Sequence, residues 1–326
     1  MGKVFPPFAD LAEKAHSSQS RSLLRGFADE AFLRLRDRDE RSDERLRQLV
    51  ELLAHARSLE PVSPVRVAAS GAAGLLRPPT IGDVDDRLGQ QLAERFHAAM
   101  SHDGFTVEIV LQEPASPSQD SVDRAFRLLY ACLPAVAPET AALVDGVVLF
   151  HGPPHSAYIS ATPLVIYLNE RVAADPLAGA DSVLHESLHQ KLVDFGLARR
   201  MLRSGYQDAV SHRAPVPWGG PGRSFTADRT LAAFHVYVHL TLLHAVALLD
   251  REGLGIEHTE AELTDRLAVR WARAAYLGSC FDAPELAAEL DVDGAALVAW
   301  LTSVNAELGD LVLSSGDRLK AVARVE

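Results

Sequence analysis

Cysteine is nearly absent from this chain: Cys132 and Cys280 are the only two in 326 residues. Two thiols make no disulfide framework, and a thiolate zinc site needs more of them. Both are read as buried, reduced side chains. Aromatic residues are scarce at 6% while Ala and Leu abound, which favours helices over a β-sandwich. Excess positive charge is missing as well. The formal net charge is −12, so the chain has no general pull toward nucleic acid or an anionic membrane. The N-terminal "MGKVFPPFADLAEKAHSSQS" has no apolar core segment and is no signal peptide. No uninterrupted apolar run is long enough to span a membrane; "LAAFHVYVHLTLLHAVALL" comes closest, and it carries three His. There is no internal repeat and no low-complexity tract. These absences predict a soluble, cytoplasmic protein with neither nucleic acid nor membrane as partner.

What is present supports a sizeable core, since 48% of the residues are hydrophobic. Residues 21–59 alternate charge signs, with Leu and Phe at helical spacing, and read as two amphipathic helices broken near Arg41-Ser42-Asp43. Their arginines are matched by acids, so a solvated face is expected there. Residues 59–82 hold four Pro and three Gly and form an irregular connection. "IGDVDDRLGQQLAERFHAAM" resumes a helix, "FTVEIVLQE" alternates as a strand, and "VDRAFRLLYACLPAV" is a helix stopped by Pro134 and Pro138. After Asp145, "GVVLFHG" and "SAYISATPLVIYLNE" are β-rich, with Gly152-Pro153-Pro154 between them. A hairpin or small antiparallel sheet is expected. From residue 226 onward the pattern is helical. The fold class is therefore α-rich α+β: a mostly helical single domain packed around a small antiparallel β-sheet, with a metal site between two helices. Residues 1–104 form a helical N-terminal section and a candidate peptide-recognition region. Residues 105–326 form the metal-binding catalytic domain.

The metal site is read from "DSVLHESLHQKL", residues 181–192, which contains His185-Glu186-Ser187-Leu188-His189. Asp181 or Ser182 is expected to cap a helix over about Val183 to Arg203, with Gly205 just past its end. At about 100° per residue, His185 and His189 stack on one face one turn apart, as two imidazoles sharing one ion must. Glu186 lies beside the first His, in reach of the ion, a bound water or a substrate group. Val183, Leu184, Leu188 and Leu192 supply apolar packing.

A zinc peptidase needs a third ligand and an open position, with Glu186 as general base. The HExxHxxGxxH extension fails, because Leu192 and Phe195 occupy its Gly and His positions. A downstream Glu ligand fails as well, because no Glu occurs between Glu186 and Glu252. The next candidates are Asp208, His212 and the apolar helix carrying His235, His239 and His244. A His on such a helix needs a partner. His235 is favoured as third ligand, with His239 behind it or in its place, and His244 on the opposite side as a structural residue. Three ligands on one face suit either four-coordinate Zn(II) or an octahedral Fe(II) with open positions.

The order "VLHESLHQKL", then "PVPWGGPGRSF", then "LAAFHVYVHL" resembles the bacterial HExxH-motif peptide-modification family, over roughly residues 145–250. The resemblance implies an Fe(II)- and 2-oxoglutarate-dependent hydroxylase acting on side-chain β-carbons of a ribosomally made precursor peptide. It maps His185, His189 and His235 to the metal. The chain departs from the pattern at Gly219, where an Arg is expected after Pro-Trp, and at Ser224, where a Pro is expected after Arg223. A buried cosubstrate carboxylate needs a bidentate guanidinium, for which Arg223 and Arg229 are the candidates. Trp218 and Tyr158 are candidates to line the pocket. The alternatives are a zinc metallopeptidase using Glu186 to activate water, and a non-catalytic helical peptide-binding protein.

Overall fold

The computed structural model describes residues 86–314, apart from 103–106, 110–116, 135, 145, 160, 161, 163, 164, 220 and 221. The paired helices expected over 21–59, the irregular connection that follows, and most of the N-terminal section lie outside the described residues. The described residues fall into two compact units, 86–193 and 194–314.

The first unit contains α1 (Asp86–His102), β1 (Glu108–Ile109), α2 (Pro117–Cys132), α3 (Ala137–Ala142), β2 (Gly146–His151), β3 (Ser156–Tyr158), β4 (Val165–Asn169), α4 (Glu170–Ala173) and most of α5 (Pro176–Ala198). Its four strands run in the order β1-β2-β4-β3. β2 and β4 are parallel, while β1 and β3 pair antiparallel at the edges. The sheet is thus mixed rather than antiparallel, and the strands flanking Gly152-Pro153-Pro154 do not pair with each other, because β4 lies between them. The physical reason lies in the burial. β2 and β4 are buried along almost their whole length, on both faces, so they take the central places that a near-continuous apolar run demands. "SAY" is only partly buried and takes the edge.

One sheet face is filled by Val148, Phe150, Ala157 and Tyr167, against Leu92, Phe96 and Met100 of α1. The Phe96 and Tyr167 rings stack at 4.2 Å, and the Tyr167 hydroxyl is satisfied by Thr162 at 3.0 Å. Truncating Phe96 to Ala would cost about 3–5 kcal/mol. Asn169 then ties the sheet to its turns. Its side-chain oxygen caps α4 by accepting from the Arg171 amide, and its side-chain amide donates to the Gly152 carbonyl at 2.5 Å. The Asn169 backbone amide bonds the His155 carbonyl. One residue thus fixes the turn that delivers β3.

The second unit holds the ribbon β5 (Ala214–Pro215) and β6 (Ser224–Phe225), then α6 (Ala227–Leu249), α7 (Glu260–Ser279), α8 (Pro284–Ala287) and α9 (Val292–Ser314). Thr226 caps α6, and a reciprocal Thr259–Glu262 capping box starts α7. α6 packs against both α7 and α9. It is long and apolar enough to cross a membrane, but 67% of its most apolar window is buried inside the protein, as in a core helix. Two helices packed on a buried apolar one, and a small sheet in the other unit, make the chain α-rich α+β as composition predicts.

Candidate metal centre

α5 starts earlier than the expected cap at Asp181 or Ser182. Pro176 is its first residue, and the Asp175 carboxylate accepts from the Leu177 amide at 3.0 Å. Asp-Pro is a strong start, with the acid satisfying an orphan donor and Pro losing nothing at the first position. Asp181 and Ser182 sit inside the helix and are buried. Gly179 lets α5 approach α2 closely, since a Cβ there would lie 2.8 Å from Ala125 Cβ. The helix also ends at Ala198, short of Arg203 and Gly205. The Arg200 amide goes to the Asp293 carboxylate at 3.1 Å and the Arg203 amide to the Glu289 carbonyl at 2.9 Å, so these donors leave the helical ladder.

His185, Glu186 and His189 come together on this helix: their ligand atoms all lie within 4.8 Å of one another. The two imidazole centroids are 5.0 Å apart, and His185 Nε2 lies 4.0 Å from Glu186 Oε1. Donors around one ion sit about 3–3.5 Å apart, so small side-chain rotations close the set. Among the described residues no other trio of His, Cys, Asp and Glu gathers this way. The His185 side chain keeps 30% of its surface exposed against 5% for Glu186, so the site opens on the His185 side.

Edge strand β3 supplies the surroundings. Ser156 Oγ donates to Glu186 Oε1 at 2.5 Å, and the Tyr158 backbone amide donates to the same carboxylate. The Tyr158 ring lies roughly parallel to His189, 6.4 Å away. Burial pushes the Glu186 pKa up, and nearby Asp181 adds to this; His185, Ser156 and Tyr158 pull it back. Burial, with His185 second, lowers the His189 pKa to about 3. A neutral imidazole is the form that binds a metal ion, so this setting keeps His189 ready as a ligand.

The remaining candidates lie in the second unit. His235, His239 and His244 are all buried on α6. The His235 and His239 rings are 4.7 Å apart, beside Phe195 and Trp300 respectively. His239 Nδ1 lies 2.7 Å from the His235 carbonyl. A carbonyl only accepts, so Nδ1 carries the proton and the ligand lone pair of His239 is on Nε2. Asp208 and His212 are exposed. Asp208 accepts from the Tyr206 hydroxyl, and the His212 amide bonds buried Glu289. Arg223 is exposed, with its guanidinium 5.5 Å from the Phe225 ring centroid, and Arg229 is exposed in the first turn of α6. Trp218 packs edge-on to Tyr237 and Tyr276.

Two contributors escape a reading of the sequence. Asp175 carried a signal, the Asp-Pro pair. Ser156 carried none, because nothing local ties it to Glu186 thirty residues on. No family model matches this chain, and no curated protein matches it significantly.

Proposed function

We propose that this protein is a mononuclear metal enzyme centred on His185, Glu186 and His189, and that it hydroxylates side-chain β-carbons of a ribosomally made peptide with Fe(II) and 2-oxoglutarate. The clustering of the three ligand groups within 4.8 Å carries the metal reading. The hydroxylase reading adds the resemblance of the three motifs and the lack of a peptidase ligand at its usual positions. His185 and His189 are assigned to Fe(II) with His235 as the third ligand and His239 behind it or in its place, which leaves positions for a bidentate 2-oxo acid and dioxygen, while Glu186 completes the metal site in place of His235 or orients a ligand and the substrate. Arg223 and Arg229 are assigned to the cosubstrate carboxylate. When bound, the iron would activate dioxygen as the oxidant, with 2-oxoglutarate giving up two electrons as it becomes succinate and carbon dioxide and the substrate C–H giving the other two. The chain itself keeps His189 neutral and holds Glu186 on β3 through Ser156 and Tyr158. Its apolar helix packing limits water around the site.

One observation favours a second reading. Glu186 is buried and its pKa is raised, which suits the general base of a zinc peptidase. The decisive experiment reconstitutes purified protein anaerobically with Fe(II) and 2-oxoglutarate. A weak visible charge-transfer band is expected, and a co-expressed precursor peptide encoded beside the gene should gain one oxygen by mass spectrometry. A shortened peptide, produced with zinc and indifferent to 2-oxoglutarate, overturns the hydroxylase reading in favour of the peptidase.

A further inference from the structure

In the second unit, Arg273 of α7 is held by aromatic side chains from two other elements. Its guanidinium carbon lies 5.1 Å from the Trp218 ring centroid and 5.5 Å from that of Tyr237. Nη1 donates to the Tyr237 hydroxyl at 2.9 Å. Trp218 is braced in turn, meeting Tyr237 at 6.0 Å and Tyr276 at 5.6 Å, both edge-on. The Tyr276 hydroxyl donates to the Pro215 carbonyl at 2.8 Å, which fixes the ribbon leading to Trp218. Three chain segments thus converge to orient one guanidinium. All four side chains are only partly buried, so the cluster reaches solvent.

The charge balance is unusual. In a chain of net charge −12, no Asp or Glu pairs with Arg273 among the described residues. The rest of its donor fork makes no hydrogen bond to the protein among those residues. A flat guanidinium stacked on aromatic rings loses little further entropy on binding, and its fork matches a carboxylate bidentately. Aromatic neighbours lower the local dielectric and strengthen that pairing.

We propose that Arg273, braced by Trp218, Tyr237 and Tyr276, is a carboxylate-binding site. The ligand chemistry is a carboxylate presented at a partly apolar surface. Its source is either a small free dicarboxylate or the acidic side chain of a bound peptide. This assignment stands apart from the metal chemistry and holds for either metal reading.

Isothermal titration calorimetry on the full chain tests it, with the protein both metal-loaded and stripped by chelator. The probes are 2-oxoglutarate against its 5-amide, and an acetylated, amidated alanine pentapeptide with a central glutamate against the same peptide with glutamine. One of the two acids should bind, with its amide at least about tenfold weaker. Arg273→Gln should weaken the acid at least about tenfold, and Arg273→Lys, which keeps the charge and loses the fork, should fall between. Binding that survives metal removal and is weakened by Arg273→Gln belongs to Arg273 rather than to the metal or to Arg223 and Arg229. The proposal is overturned if neither acid binds, if acid and amide bind alike, or if both variants bind as the parent does. Should Arg273→Gln not fold, the acid-to-amide comparison on the parent protein and the Lys variant decide between these outcomes.

Discussion

The two histidine pairs of this chain have the same spacing and very different surroundings. His185 and His189 lie on α5, and the acid between them is held from a separate strand, by Ser156 and the Tyr158 amide. His235 and His239 lie on α6, and His239 bonds within its own helix, to the His235 carbonyl. The first arrangement spends long-range structure on orienting polar groups. In the second, the His239 ring bonds the backbone of its own apolar helix. Long-range support of polar side chains is what a functional site requires, because preorganised geometry must be over-determined by its surroundings. The difference supports the α5 pair as the centre of the proposed site and leaves the α6 pair as the contributor to be tested.

The largest effect expected is on metal content. His185→Ala and His189→Ala should each lower metal affinity by about 100-fold or more, read as loss of stoichiometric metal after dialysis. His235→Ala should lower it by about 10–100-fold if α6 completes the site. His244→Ala should leave metal content unchanged while lowering stability, since it is a fully buried side chain. Full metal retention in both His235→Ala and His239→Ala would reduce the α6 pair to packing residues.

This comparison also separates what the sequence discloses from what it hides. The i, i+4 pair in "HESLH" was legible because helix geometry converts spacing directly into a shared face. The buried character of α6 was legible from an almost unbroken apolar composition. The mixed sheet was not, because periodicity gives strand existence but not pairing order. β2 and β4 are both apolar on alternate and adjacent positions, and only the sheet decides that they lie side by side. Ser156 and Arg273 were hidden for one common reason. Each acts on a partner thirty or more residues away, Glu186 for one and Tyr237 for the other.

A close-packing test follows next in size. At Gly294, a Cβ would sit 2.0 Å from the Met201 carbonyl oxygen, where backbone cannot yield. Gly294→Ala should destabilise by about 3 kcal/mol, read by urea denaturation. At Gly179 the clash is milder, 2.8 Å from Ala125 Cβ. Alanine also gains about 1 kcal/mol of helix propensity there. Gly179→Ala should therefore cost only about 1 kcal/mol. Being on α5, it should loosen metal binding, whereas Gly294→Ala should not.

pH gives a smaller and more selective effect. His189 has its folded pKa lowered to about 3, against about 6.5 unfolded. The unfolded chain therefore binds the extra proton first as pH falls, so the contribution of His189 is full above about 6.5 and is lost progressively toward 3. Glu186, with its raised pKa, works the other way, losing stability as pH rises above about 4.5. The two titrations oppose each other, so the informative quantity is a difference. Metal-free parent protein minus His189→Gln should lose about 2 kcal/mol between pH 7 and pH 5. A flat difference would mean that His189 is not held neutral by its burial.

The smallest effect discriminates best between support across elements and support within a helix. Ser156→Ala removes one of two donors to Glu186, and the Tyr158 amide remains. The cost should be about 1 kcal/mol, and the Glu186 pKa should rise further, because a donor to the charged form is gone. Metal binding should then need a higher pH. Ser187→Ala is the matched control two steps from His185. Its hydroxyl donates to the Val183 carbonyl one turn back, at 2.6 Å, an acceptor already engaged by the helix. Removing it should leave the pH dependence of metal binding unchanged. If both serine variants shift that profile equally, the strand has no special part in holding Glu186, and the contrast between the two histidine pairs rests on α5 alone.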